Sequence, residues 1–149
     1  MTAEGARNLA NGLRHVPQLH TLDLSGNSMM LDEDARYLSN GLQHVQQLHT
    51  LNLSWNKIGD EGARYLAEHG LQHVKQLHTL DLSENNIGAE GGRALAEHGL
   101  QHLQQLHTLN LYYNKMGVKV ARALAVARAL ANGLQHVQQL HTLDLSYNI

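Results

Sequence analysis

LHTLNLSWNKIGDEGARYLAEHGL, Leu48 to Leu71, holds two hydrophobic periods in succession. Leu51 and Leu53 alternate with Thr50 and Asn52, which is the period of a strand with leucine on one face and polar side chains on the other. Ala63, Leu66, Ala67, Gly70 and Leu71 then recur at steps of three and four, the apolar stripe of an amphipathic helix. Asp60 and Glu61 stand at the start of that stripe, where the positive end of a helix favours carboxylates.

The same pattern recurs along the chain. HTLDLSGN starts at His20, HTLNLSWN at His49, HTLDLSEN at His78, HTLNLYYN at His107 and HTLDLSYN at His141, so successive copies begin 29, 29, 29 and 34 residues apart. Each copy follows a helical stretch, which gives five helix-strand units. A strand and a helix joined by tight links leave both apolar faces open. Neighbouring units must therefore stack, with strands about 4.8 Å apart in one parallel sheet and helices outside it. Helices are wider than strands, so the stack curves with the sheet on its concave side. The expected fold is an α/β solenoid spanning residues 1–149 as a single domain.

Leu48 to Leu71 resembles the leucine-rich repeat unit of ribonuclease inhibitors and of the C-terminal arrays of NOD-like receptors, and the resemblance covers essentially the whole chain. It implies a right-handed α/β horseshoe arc that binds proteins, usually on the concave sheet. It also implies that Asn27, Asn56, Asn85, Asn114 and Asn148, in register after each strand, form a buried ladder bonding the backbone of adjacent turns. A nuclease inhibitor in the strict sense is disfavoured: those inhibitors are longer, cysteine-rich and strongly acidic, whereas this chain has no cysteine and a net charge of −2.

The 11 Lys and Arg are scattered, so no basic footprint points to nucleic acid or an anionic membrane. The first 20 residues hold polar and charged side chains throughout, and no run approaches 18 apolar residues, so neither secretion nor membrane spanning is expected. Absence of cysteine suits a reducing, cytoplasmic setting. The repeated serines Ser25, Ser54, Ser83 and Ser146 belong to the strand pattern, and a triad drawn from His78, Asp81 and Ser83 is tied to one short segment where the side chains do not converge. GDEG and GAEGG lack the lysine and spacing of a phosphate cradle. The expectation is a binding scaffold and not an enzyme, with a protein partner and no cofactor.

Candidate partner-binding residues lie in two sets. Asp23, Asn52, Asp81, Asn110 and Asp144 make a polar row on the concave face. The residue before each Asn of the ladder varies: Gly26, Trp55, Glu84, Tyr113 and Tyr147, with Tyr112 in place of the usual serine. Exposed aromatic residues on a rim are common anchors of protein interfaces; packing over the strand-to-helix turns is the other role open to them.

Ten of the 12 histidines form two columns, His15, His44, His73, His102 and His136 after the helices, and His20, His49, His78, His107 and His141 before the strands. Stacking places members of the second column roughly 5 Å apart. Two imidazoles at that distance can share a metal, yet no carboxylate or cysteine completes a tetrahedral set, so no metal site is assigned. Stacked imidazoles should instead repel as they charge below about pH 6.5.

Two irregularities remain. VARALA occurs twice, Val120 to Ala125 and Val126 to Ala131, adding six residues to the last unit. Six residues turn a helix by about 600°, so the stripe cannot stay aligned through the addition, and the helix must shift or bulge. The chain also starts inside a helix and ends on a strand with no atypical polar repeat at either end, so both ends read as uncapped, as expected first of a piece cut from, or decayed from, a longer array. Met1 and Ile149 are then candidates for contact between copies, which makes a homo-oligomer or an end-to-end assembly the alternative to partner recognition.

Overall fold

The computed structural model describes residues 3–27, 30–117 and 128–149. Five short strands, β1 (Thr21–Asp23), β2 (Thr50–Asn52), β3 (Thr79–Asp81), β4 (Thr108–Asn110) and β5 (Thr142–Asp144), form one sheet in sequence order. Every pairing is parallel, and every unit is in register, threonine against threonine and leucine against leucine. Backbone bonding runs on past the strands: Leu53 N donates to Asp81 O at 2.8 Å and Trp55 N to Ser83 O at 3.0 Å.

The helices α1 (Ala3–Leu13), α2 (Asp32–Gly41), α3 (Asp60–Tyr65), α4 (Ala89–Ala94) and α5 (residues 128–134) precede the strands in turn. Between the two layers the inward leucines of the strands, Leu51, Leu53, Leu80, Leu82, Leu109 and Leu111, pack with Leu66, Leu95, Ile58 and Ile87 in one continuous core. This is the parallel α/β solenoid that the alternating periods predict.

The helices are less uniform than the stripe suggests. After α3 and α4 the chain widens into π-helical turns, Leu66–Gly70 and Leu95–Gly99, and then tightens into 3₁₀ turns, Leu71–His73 and Leu100–His102. The reason is visible in the sequence: LSNG (38–41) becomes LAEHG (66–70 and 95–99), one residue more between the same two core anchors. The extra residue is absorbed as a bulge, which keeps the anchors facing inward.

Glycine makes close packing of consecutive units possible. A Cβ on Gly41 would stand 2.9 Å from Ala10 Cα, and one on Gly133 would collide with the Ala96 carbonyl oxygen. Gly133 follows the duplicated VARALA, most of which, like Met1, lies outside the described residues. The contact of Gly133 with Ala96 and the Thr108↔Thr142 pairing show that the six added residues leave the stacking of the last unit in phase.

Candidate partner-binding surface

The asparagines after the strands are the fixed frame of the surface. Asn85 Nδ2 donates to Leu53 O, Leu82 O and Ser83 O at 2.9–3.1 Å, and its Oδ1 accepts from Ile58 N at 3.0 Å. Asn114 repeats the set one unit on, reaching Leu82 O at 3.0 Å and accepting from Ile87 N at 3.0 Å. Asn56 and Asn148 reach the preceding units at Leu24 O and Leu111 O. Asn56, Asn85 and Asn114 are buried, so the ladder inferred from the repeat resemblance is present.

On the concave face the second polar row is internally bonded. Asn52 Nδ2 donates to Asp23 Oδ2 at 3.3 Å and Asn110 Nδ2 to Asp81 Oδ2 at 3.2 Å, so alternating acid and amide link neighbouring strands. The Oδ1 of each accepts from the amide two residues on, as in Asn52 with Ser54 and Asp81 with Ser83. Ser25, through its hydroxyl and amide, holds the Asp23 carboxyl below the usual carboxylate range, and Ser146 does the same for Asp144. Ser83 Oγ donates to Asp81 Oδ1 at 2.6 Å, which occupies the hydroxyl that a triad would need. At neutral pH this row is a mildly acidic strip.

The rim beside the ladder has an unusual backbone. Trp55, Glu84, Tyr113 and Tyr147 all have positive φ, 51–55°, and Gly26 in the same column has φ 68°. This left-handed turn lets the chain leave the sheet while each following asparagine points inward. It favours glycine, since the Cβ of other residues crowds the backbone. The composition of the column therefore runs against its conformation, a feature that variability alone does not reveal; Gly26 is the one sequence signal for it.

These side chains reach solvent. Trp55 is 64% exposed, Tyr113 51% and Tyr147 64%. Tyr112 is half-buried and meets Tyr147 edge-on at 5.3 Å and Tyr113 at 6.0 Å, making a cluster of three rings from two units. Partial burial, followed by the charge of Glu84, raises the Tyr112 phenol above its ordinary value, so it remains a neutral donor. Trp55, Glu84 and the tyrosine cluster thus follow one another along a single edge.

The second histidine column stacks as the strand spacing requires. Ring centroids lie 4.9 Å apart for His20 and His49, 4.7 Å for His49 and His78, and 5.4 Å for His107 and His141, nearly parallel in each case; His78 meets His107 edge-on at 4.9 Å. Face-to-face rings do not aim their nitrogens at a common point. Among the described residues no group of three or more histidine or acidic side chains converges as a metal would need.

Sequence reasoning missed one set of positioning residues. Asp32 Oδ1 accepts from Gly59 N at 2.6 Å and Gly62 N at 3.0 Å, and Asp60 Oδ1 from Gly88 N and Gly91 N at 2.7 and 2.8 Å. Each aspartate lies in the first turn of its own helix and caps the start of the next one. The glycines leave room for it: a Cβ on Gly62 would come within 2.6 Å of Asp32 Oδ1.

With this geometry in view, the comparisons with known proteins are decisive for the repeat. The family model described as Leucine Rich repeat matches residues 46–67 and 75–96, two successive units that include the quoted segment. The chain carries leucine-rich repeats, and its fold is the leucine-rich repeat solenoid. No curated protein sequence matches it. Solved structures similar to this leucine-rich repeat solenoid include Leiomodin-1 Actin-Binding Site 2, at 12% identity over 89% of this chain and 91% of that one, with a TM-score of 0.60. The tropomodulin C-terminal domain of Caenorhabditis elegans is similar at 14% identity over 93% and 96%, TM-score 0.56. An internalin of Listeria monocytogenes is similar at 21% identity, TM-score 0.51; the repeat protein is matched over 93% of its length but spans 37% of that chain. These likenesses concern the fold.

Proposed function

We propose that this leucine-rich repeat solenoid is a recognition module that binds a protein partner along the rim at the carboxyl ends of its strands. The observation that carries this reading is the occupation of glycine-favouring, left-handed positions by exposed Trp55, Tyr113 and Tyr147. The fold needs the left-handed turn but not an aromatic side chain on it, and strain of this kind gathers at functional sites. Glu84 and Tyr112 join the same edge. The adjoining row Asp23, Asn52, Asp81, Asn110 and Asp144 supplies an acidic strip, so the fitting partner presents apolar pockets beside basic side chains.

One of the similar structures is an actin-binding site of leiomodin-1, which supports a protein-binding use of the fold. The 29-residue period with helices on the outer side supports the ribonuclease-inhibitor subtype shared with NOD-like receptor arrays. The Ser83 hydroxyl engaged by Asp81 supports a non-catalytic role. The cysteine-free composition supports a cytoplasmic setting; no described helix is long and apolar enough to cross a membrane.

A photo-crosslinking side chain placed at Tyr113 in cells expressing the whole chain tests the proposal. A defined protein adduct is expected, lost in Trp55→Ala and absent when the crosslinker stands at Arg93 on the helical side. Equal labelling from both positions would overturn it.

Stacking of copies end to end is the second reading. Leu143 and Leu145 in the last unit are only partly buried, whereas Leu80 and Leu82 are fully so, and Ile149 is 82% exposed; Met1 lies outside the described residues. Light scattering over about a hundredfold range of concentration separates the two, because contact between copies follows mass action and rim recognition does not require it.

A further inference from the structure

The five turns that lead from helix to strand, residues 13–21, 42–50, 71–79, 100–108 and 134–142, contain ten histidines, Arg14 and Lys75, and no carboxylate; all 13 acidic residues lie elsewhere in the chain. The turns share one geometry. Val45 N bonds Leu42 O and Leu48 N bonds Val45 O, and the later units repeat both bonds, so the histidines are carried on a regular scaffold. Between the first three turns runs a groove of about 810 Å³ lined by Arg14, Gln43, His44, Gln47, His73 and Lys75 among others. A smaller groove between the last two turns is lined by glutamines and His136 alone. Neither contains an acidic side chain, so the titratable and charged groups facing the groove are histidine, Arg14 and Lys75.

We propose that this edge is a second binding surface, separate from the aromatic rim, that takes an acidic polypeptide segment as its imidazoles gain protons. Charge complementarity selects the ligand. The fixed cations of the edge are Arg14 and Lys75, and each imidazole that gains a proton adds a cation with no carboxylate in the turns to neutralise it. Those charges repel one another across units: His102 is held below its ordinary value by partial burial and then by the charges of Lys75 and His73. An external anion relieves this repulsion, so proton uptake and ligand binding favour each other.

The glutamines decide the kind of anion. Gln47 and Gln76 line the groove, and each offers both a donor and an acceptor, which matches the paired needs of a peptide backbone. Single-stranded nucleic acid would need aromatic platforms for its bases, and the five turns contain no Trp, Tyr or Phe. An anionic bilayer would need an apolar face to insert, and Val16 is the one exposed large aliphatic side chain described on this edge.

Fluorescence anisotropy of the full chain with a labelled peptide of alternating Glu and Ala is the test, at about pH 7.5 and about pH 5.5, on either side of the imidazole range. Binding is expected to be about tenfold tighter or more at the lower pH and to weaken with salt. His44→Gln with His73→Gln should remove most of the gain. Because acid also loosens the stack, the deciding variant is His44→Arg with His73→Arg, which should bind the peptide at about pH 7.5 without acid. Trp55→Ala should change neither result, so failure here and failure of the rim proposal remain distinguishable. Equal affinity at both pH values, no gain in the arginine variant, or stronger capture of oligothymidylate or phosphatidylserine vesicles than of the peptide would each overturn the proposal.

Discussion

Asn85 shows what one side chain does for the stack. Its amide serves three carbonyls and one backbone N–H from two units, all buried. Leucine in its place fits by size but leaves these groups without partners, so Asn85→Leu is expected to cost about 3 kcal/mol. Chemical denaturation should show a lower midpoint at unchanged slope. Trp55 makes the opposite case. Its φ of 55° suits glycine, and its ring is largely in solvent. Trp55→Gly should therefore raise stability by about 0.5–1 kcal/mol while abolishing partner capture, an opposition of stability and function that thermal melting and crosslinking together would reveal.

At the scale of the element, the helices are held by their neighbours as much as by their own sequence. Asp60 caps the Gly88 and Gly91 amides of the following unit, so Asp60→Ala should cost about 1–2 kcal/mol even though alanine is the better helix former. Increased amide exchange at Gly88 and Gly91, and not in the helix of Asp60 itself, would identify the loss as a cap between units. The π turns give a second prediction. Deleting His69 restores the Asp-to-Gly spacing of Asp32–Gly41, so the shortened helix should return to regular α geometry with a change in stability of at most about 1 kcal/mol. A large loss of stability on deletion would mean that the bulge itself carries a needed contact.

At the scale of the whole molecule, stacking converts a copied residue into a continuous column, so a neighbour one unit away bears on the protonation of His78 and of His102. His78 is held below its ordinary value by partial burial and then by the charges of His49 and His107, and His102 is lowered in the same direction. Above about pH 6.5 both are neutral folded or unfolded and contribute nothing. As pH falls below that value the unfolded chain takes up protons first, so stability declines until the folded-state values are passed. The melting temperature should fall from about pH 7.5 to about pH 5, and His78→Gln should reduce the slope. The acidic peptide of the proposed edge should recover part of that loss.

Much of this architecture is decided within the sequence. Leucines two apart make strands, the three-and-four stripe makes helices, and five copies of the pair oblige the units to stack, because an isolated unit cannot bury both faces. The in-register asparagines are visible as repetition, and their ladder is what the resemblance to the leucine-rich repeat unit implies. The single extra residue of LAEHG is visible too, although its outcome as a π turn is not. What only the tertiary structure decides lies between units: the reach of Asp32 and Asp60 into the next helix, the gathering of Tyr112, Tyr113 and Tyr147, the tilt of each imidazole on its neighbour, and the left-handed backbone under Trp55. Those features join residues about one repeat apart, or depend on how the chain must turn to make that join. Local periodicity records which face a side chain takes, while distance and angle across the stack are set only when neighbouring units close-pack.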